Sequence, residues 1–208
     1  MAIQQIFNAV IDLEEDRIAD LVKVELSANT DSSAILNEGL IAAMDEVGRR
    51  FSEGELFVPE MLMAARTMQT GLNVLKPHLV GAESKPQATI VIGTVKGDLH
   101  DIGKNLVAMM LEGGGFQVVD LGVDVETEKF LAAAAEHGAR LVCMSALLTT
   151  TMPAMGVTVA AIRERGLALK AMVGGAPVTQ AFADRIGAHG YSEDAPAAVA
   201  LARRLLAE

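Results

Sequence analysis

Along the first eighty residues, apolar positions return every third or fourth place, as in Leu36, Leu40, Ala43, Met44, Val47 and Phe51. That spacing marks helices with one buried stripe. It predicts four of them, at 4–13, 14–28, 32–51 and 59–79. The run Asn-Thr-Asp-Ser-Ser at 29–33 supplies capping side chains for the third, and Pro59 suits the first turn of the fourth. Gly54 and Pro77 act as stops. Four helices joined by short loops predict a small bundle.

After Ala88 the pattern changes. Short apolar runs rich in β-branched residues predict strands near 88–95, 116–121, 141–147, 169–174 and 189–192. Helical stretches near 102–112, 126–137, 153–165, 177–187 and 195–207 alternate with them, and Gly113–Gly115, Gly138 and Gly166 fall where helices should end. Strands separated by helices cross over and run parallel. The expected fold is therefore α/β: an N-terminal four-helix bundle followed by a doubly wound, five-stranded parallel sheet of flavodoxin-like order 2-1-3-4-5. The polar stretch 81–87, with Gly81 and Pro86, divides a helical domain at 1–80 from an α/β domain at 88–208.

Composition narrows the function. A net charge of −10 and an aromatic content of 3% argue against nucleic acid, which needs cations for its phosphates and rings for its bases. No apolar stretch is long enough to span a membrane, and no signal peptide appears. The single cysteine, Cys143, excludes an internal disulfide and fits a reducing cytoplasm; its apolar neighbours make it a core residue.

Candidate chemistry gathers in Gly97-Asp98-Leu99-His100-Asp101-Ile102-Gly103, between the first strand and the helix after it. This sheet edge is where α/β proteins bind ligands. The positive end of the helix favours a neutral imidazole at His100, and Asp98 can accept a hydrogen bond from one ring nitrogen, leaving a lone pair on the other. A solvated or structurally bonded histidine is the ordinary alternative. A phosphate loop fits less well: five residues separate Gly97 from Gly103, and Asn105 stands where a magnesium-binding hydroxyl belongs. A binuclear phosphoesterase would need more ligands, and His78, His137 and His189 form no cluster with His100 in the sequence.

From Gly103, 41 residues intervene before Ser145-Ala-Leu147, and from Leu147, 26 before Gly174-Gly175. Asp-x-His-x-x-Gly, Ser-x-Leu and Gly-Gly at these intervals resemble the fingerprint of cobalamin-binding domains that hold the cofactor with its own base displaced and a histidine on cobalt. Gly93 to Asn105 and Ser145 to Met152 are similar to the methyl-transferring branch: the cobalamin module of methionine synthase and, above all, the stand-alone corrinoid proteins of methylamine, methanol and aryl-ether methyltransferase systems.

The resemblance implies a role for each matching residue. His100 would be the cobalt ligand, with Asp98 and Thr151 completing a catalytic triad in which Thr151 replaces the more usual serine. Gly97, Asp101 and Gly103 belong to the same cofactor loop. Gly174 and Gly175 would let the backbone approach the cofactor's nucleotide tail, Ser145 and Thr149 would hydrogen-bond to it, Leu147 would lie against the displaced base, and Ala195 would add a backbone contact. Residues Arg50 to Met61 resemble the cap of methionine synthase, so that Phe51, Val58 and Met61 would shield the upper face of the corrin; Val58 stands where leucine is commoner. The cofactor would be carried as methylcobalamin and cob(I)alamin. Implied partners are a substrate-specific methyltransferase, a second methyltransferase with a thiol or folate acceptor, and a reductive activator. The chain would be a carrier subunit rather than a complete enzyme, working by hinge motion at 81–87. The alternatives within the resemblance are a cobalamin-sensing regulator and the cofactor subunit of a mutase.

Overall fold

The computed structural model describes residues 3–79 and 87–207; of the stretch 81–87 expected to link the domains, only Gln87 lies among them. The chain divides into two units, one up to Pro86 together with Gly113–Gly115, the other comprising Gln87–Glu112 and Phe116 onward.

In the first unit, α1 (Ile3–Ile11) and α2 (Glu15–Ser27) form the first two rods. The third runs from α3 (Ser32–Ala34), started by the Asp31 carboxylate accepting from the Ser33 N–H, through Ile35–Ile41 into α4 (Ala42–Ser52). Within Ile35–Ile41 the backbone bonds reach five residues back, as from the Ala42 N–H to the Asn37 carbonyl. This wide π turn departs from the uniform helix that the spacing predicts. It buries Gly39, Leu40 and Ile41 in succession, which a single α-helical stripe does not do. The fourth rod, α5 (Val58–Leu75), begins where the Glu60 side chain accepts from the Phe57 N–H, and ends in a 3₁₀ turn at Lys76–His78. At Gly71 it comes so close to its neighbours that a Cβ would stand 2.9 Å from Ile18 and 3.1 Å from Leu40. Ile6, Val10, Ile18, Val22, Leu40, Met44, Val47 and Met68 are buried.

The second unit alternates strand and helix throughout: β1 (Thr89–Thr94), α6 (Ile102–Gly113), β2 (Gln117–Asp120), α7 (Thr127–Glu136), β3 (Leu141–Ser145), α8 (Pro153–Glu164), β4 (Lys170–Gly174), α9 (Gln180–Ile186), β5 (Gly190–Tyr191) and α10 (Ala195–Ala207). Every pairing is parallel, in the order β2-β1-β3-β4-β5. The sheet order expected from the alternation is the one observed. Ile90, Val91 and Ile92 of β1 and Leu141 to Met144 of β3 are buried without alternation, as expected for central strands covered by helices on both faces. Val91, Val142 and Val173 share one core cluster with Phe130 of α7, Met155 of α8 and Phe182 of α9.

The register places the functional motifs side by side. Thr94 pairs with Ser145, and Ser145 with Gly174, at the carboxyl ends of β1, β3 and β4. Neighbouring strands lie about 4.8 Å apart, so three motifs far apart in sequence share one short edge. Strand β3 stops at Ser145, two residues before the predicted end, because the Leu147 N–H turns away from the sheet toward Asp98.

Candidate functional site

The loop after β1 opens with a tight turn in which the Asp98 N–H returns to the Val95 carbonyl. Gly97, at φ +83°, takes the position where such a turn requires a residue without a side chain. The Thr94 hydroxyl, buried at the strand end, donates to the His100 carbonyl at 2.8 Å and ties the far side of the loop to the sheet. Asp101 then leads into α6, its carboxylate accepting from the Asn105 side chain at 3.1 Å.

Asp98 is fully buried and accepts five hydrogen bonds. One carboxylate oxygen, Oδ1, takes the His100 backbone N–H at 3.1 Å and its ring Nδ1–H at 2.7 Å. The other, Oδ2, takes the Leu147 N–H at 2.8 Å, the Leu148 N–H at 3.3 Å and the Thr151 hydroxyl at 2.7 Å. Burial by itself would raise the pKa of this carboxyl, but the donors from Thr151, His100 and Leu147 outweigh it and hold the group well below the usual carboxylate range. Asp98 is thus a fixed negative charge. The Thr151 hydroxyl also lies 2.8 Å from the Leu148 carbonyl, so its one proton serves two acceptors. β-Branching does not keep Thr151 from Asp98, because its methyl lies toward Gly97, 3.6 Å from where a Cβ there would stand.

With Nδ1 committed to Asp98, the lone pair of the neutral His100 ring sits on Nε2, and the side chain is 52% exposed. Exposed apolar residues flank it in the chain, Leu99 at 71% and Ile102 at 83%, and Leu147 and Leu148 are exposed on the loop that Asp98 anchors. Gly103, in the first turn of α6, has open space where its Cβ would be, so no packing within the protein demands a glycine there. Exposed apolar side chains, a helix turn with open space at Gly103 and an exposed imidazole together suit a largely apolar ligand. Among the described residues no three His, Cys, Asp or Glu side chains stand together as a metal cage. A single imidazole can complete the coordination of a metal only if that metal arrives held by other donors.

The remaining expected residues fall in two places. Ser145 ends β3 and is partly exposed, Thr149 is exposed on the loop that follows, and Gly174 ends β4. Gly175, at φ +126°, passes so close to β3 that a Cβ would overlap the Ala146 carbonyl oxygen. The fold thus explains the absence of a side chain at Gly175 before any ligand is considered. Ala195 is buried as the first residue of α10, whose start is capped by Asp194 accepting from the Ala197 N–H. In the helical unit Phe51 is half-buried, Val58 is exposed and Met61 is buried.

Three contributors escape the sequence reading. Lys104, almost wholly buried, pairs with Asp120 at the end of β2 and with the Asn105 side chain, bracing the first turn of α6. Asp124 grips the cofactor loop from the side of β2, its carboxylate accepting from the Gly97 N–H at 2.7 Å. Phe57, 69% exposed beside Val58, is the large apolar side chain that the helical unit leaves most open. The signal for Lys104 was a lone cation inside an amphipathic helix, and for Asp124 an acid between two valines after a glycine.

A B12 binding domain model matches residues 88–200, and a second B12 binding domain model matches residues 2–76. Dimethylamine corrinoid protein 2 of Methanosarcina acetivorans is 42% identical over 207 residues, covering 98% of this chain and 95% of that protein. The chain belongs to the B12-binding corrinoid proteins. Its fold matches a chain of the methanol:cobalamin methyltransferase complex from Methanosarcina barkeri with a TM-score of 0.88 and 33% identity, over 99% of this chain and 80% of that one. A cobalamin-binding protein from Desulfitobacterium hafniense matches with a TM-score of 0.80 and 35% identity, over 98% of both chains. The cofactor of this corrinoid protein is cobalamin, with cobalt at its centre. The residues present fit it: a corrinoid carries its metal already held by ring nitrogens, so a single exposed imidazole would suffice as a protein ligand.

Proposed function

We propose that this corrinoid protein carries a methyl group between two methyltransferases, binding cobalamin with the cofactor's own base displaced and Nε2 of His100 as the protein's ligand to cobalt. When bound, the corrinoid supplies a cobalt that accepts and donates a methyl group. The observation that supports this reading best is the pairing of His100 Nδ1–H with the buried Asp98 carboxylate, which leaves Nε2 uncommitted on a side chain 52% exposed.

The residues divide the work. Asp98 fixes the tautomer and orientation of the imidazole by accepting its Nδ1–H. Thr151 and the Leu147 N–H keep that charge in place by occupying the opposite carboxylate oxygen. Leu99, Ile102, Leu147 and Leu148 would exclude water from the bound cofactor. Ser145, Thr149, Gly174 and Gly175 line the neighbouring strand ends, where the nucleotide tail would enter, and Ala195 would add a backbone contact to it. Phe51, Val58 and Phe57 of the helical unit would offer apolar cover for the bound cofactor. The amine-linked names of the relatives make methylated amines the first donors to offer, through a substrate-specific methyltransferase of the cytoplasm. A second methyltransferase and a reductive activator complete the system.

Anaerobic reconstitution with cobalamin tests the reading. The absorption spectrum of the native protein should show a nitrogen ligand on cobalt that is lost in His100→Ala, and mono-, di- and trimethylamine or methanol should methylate the loaded protein only with a partner enzyme present. A cofactor that keeps its benzimidazole on cobalt in both proteins would reject it.

A further inference from the structure

His100 is held from two sides, and only one of them belongs to the triad. On the β3 side, the loop at 147–151 grips the Asp98 carboxylate. On the β2 side the grip comes from a single residue, Asp124, and it works in both directions. Its carboxylate Oδ1 accepts from the Gly97 N–H at 2.7 Å, while its own N–H donates to the Asp98 carbonyl at 3.0 Å. These two bonds bracket the turn from which His100 projects. The segment bearing Asp124 is itself fixed to the end of β1: the Thr94 N–H bonds the Gly122 carbonyl, the Val125 N–H bonds the Thr94 carbonyl, and Val95 bridges Val125.

Asp124 holds this place at a backbone cost. Its φ of +52° is a left-handed conformation that few residues other than glycine, asparagine and aspartate adopt readily. Relief of strain alone would favour glycine here. Glycine, however, has no oxygen to offer the Gly97 N–H, whose turn fixes where Asp98 begins.

We propose that Asp124 is a positioning residue for the axial histidine: by holding the Gly97–Asp98 turn against the end of β1, it sets where the His100 imidazole stands relative to the cobalt. The inference rests on His100 ligation as read above and adds to it a residue outside the Asp98–His100–Thr151 set.

Three substitutions separate positioning from mere stability. Asp124→Asn keeps an acceptor and tolerates the conformation, Asp124→Gly keeps the backbone and loses only the acceptor, and Asp124→Ala loses the acceptor while keeping the strain. In the free proteins, amide exchange at Gly97 should quicken about five- to tenfold in Asp124→Gly and Asp124→Ala, the worth of one hydrogen bond, and stay within about twofold of native in Asp124→Asn. The ring nitrogen signals of His100 should broaden in the same two variants. In the cobalamin-loaded proteins, the absorption that distinguishes imidazole-ligated from water-ligated cobalt should show the ligated fraction falling in Asp124→Gly although its melting temperature is equal to or above native. Ligation and Gly97 protection unchanged in Asp124→Gly, or lost in all three variants in step with melting temperature, would overturn the proposal. Should His100→Ala leave the native spectrum unaltered, the ligation reading fails instead, and Gly97 exchange with the His100 ring signals in the free protein still decides whether Asp124 positions the loop.

Discussion

The Asp98 carboxylate has no spare valence: each hydrogen bond it makes is accepted, from three backbone N–H groups, the His100 ring and the Thr151 hydroxyl. Asp98→Asn puts an NH₂ group where acceptors are required, setting it against either the Leu147 and Thr151 donors or the His100 pair. A cost of about 2–4 kcal/mol in urea unfolding is expected, with Asp98→Ala at least as severe. The sign with pH follows from the depressed pKa. Because the unfolded chain holds this proton more tightly than the folded one, Asp98 contributes its full stabilisation above about pH 4, and the contribution is lost as pH falls below that toward the folded value. Unfolding free energy measured between pH 5 and pH 2.5 should therefore fall more steeply for the native protein than for Asp98→Asn. Parallel curves would mean that the carboxyl is not held ionised by its neighbours. Gly103 gives the opposite kind of residue. Its Cβ position is open, so Gly103→Ala should leave the free protein as stable as native or up to about 1 kcal/mol more so, while weakening cobalamin retention on a desalting column. Gly175→Ala, aimed at the Ala146 carbonyl, should instead fail to fold stably with or without cofactor.

At the scale of elements, periodicity decided most of what could be read. The strands β1 to β5 and the helices between them appear close to where apolar runs and glycine stops put them, because buried parallel strands and capped helices leave local marks. Two departures share a cause that local pattern does not carry. Strand β3 stops early because the Leu147 N–H goes to Asp98, 49 residues away in sequence. Asp124 went unnoticed because its partner Gly97 is 27 residues distant and becomes a neighbour only once β1 and β2 pair. The π turn at Ile35–Ile41 is likewise invisible to a spacing rule, since three successive buried positions read equally well as a slightly irregular helix. The site motifs were legible for another reason: their residues and intervals resemble a family fingerprint, and the sheet order brings Ser145 and Gly174, which end β3 and β4, beside the loop that follows β1. Close helix packing is testable here. Gly71→Leu must displace Ile18 and Leu40, whose side chains stand where its Cβ would be, so it should lower stability by about 2–3 kcal/mol in thermal or urea melts despite leucine's better helix propensity. A melt equal to native would show that α2 and α5 do not depend on this approach.

The charge of the whole molecule is unevenly shared. Residues 3–79 hold thirteen Asp and Glu against six Lys and Arg, whereas residues 87–207 hold twelve against ten. Most of the net charge of −10 thus belongs to the helices, the same unit that exposes Phe57 and Val58. Apolar contact sets how long a complex lasts, while a field of one sign sets how fast partners meet. A partner methyltransferase of complementary, basic surface should therefore associate quickly at low salt and slow as salt rises. Glu38 and Glu55 are exposed and lie in that acidic half, so the double change Glu38→Lys and Glu55→Lys reverses charge without removing apolar surface. By stopped-flow mixing with the partner at about 20 mM salt, the association rate should drop roughly three- to tenfold while the dissociation rate stays nearly constant, and the difference should vanish near 0.5 M, where screening acts within a few ångströms. A difference that persists at high salt, or that appears in dissociation, would locate these carboxylates inside the contact itself and reject long-range steering by the helical unit.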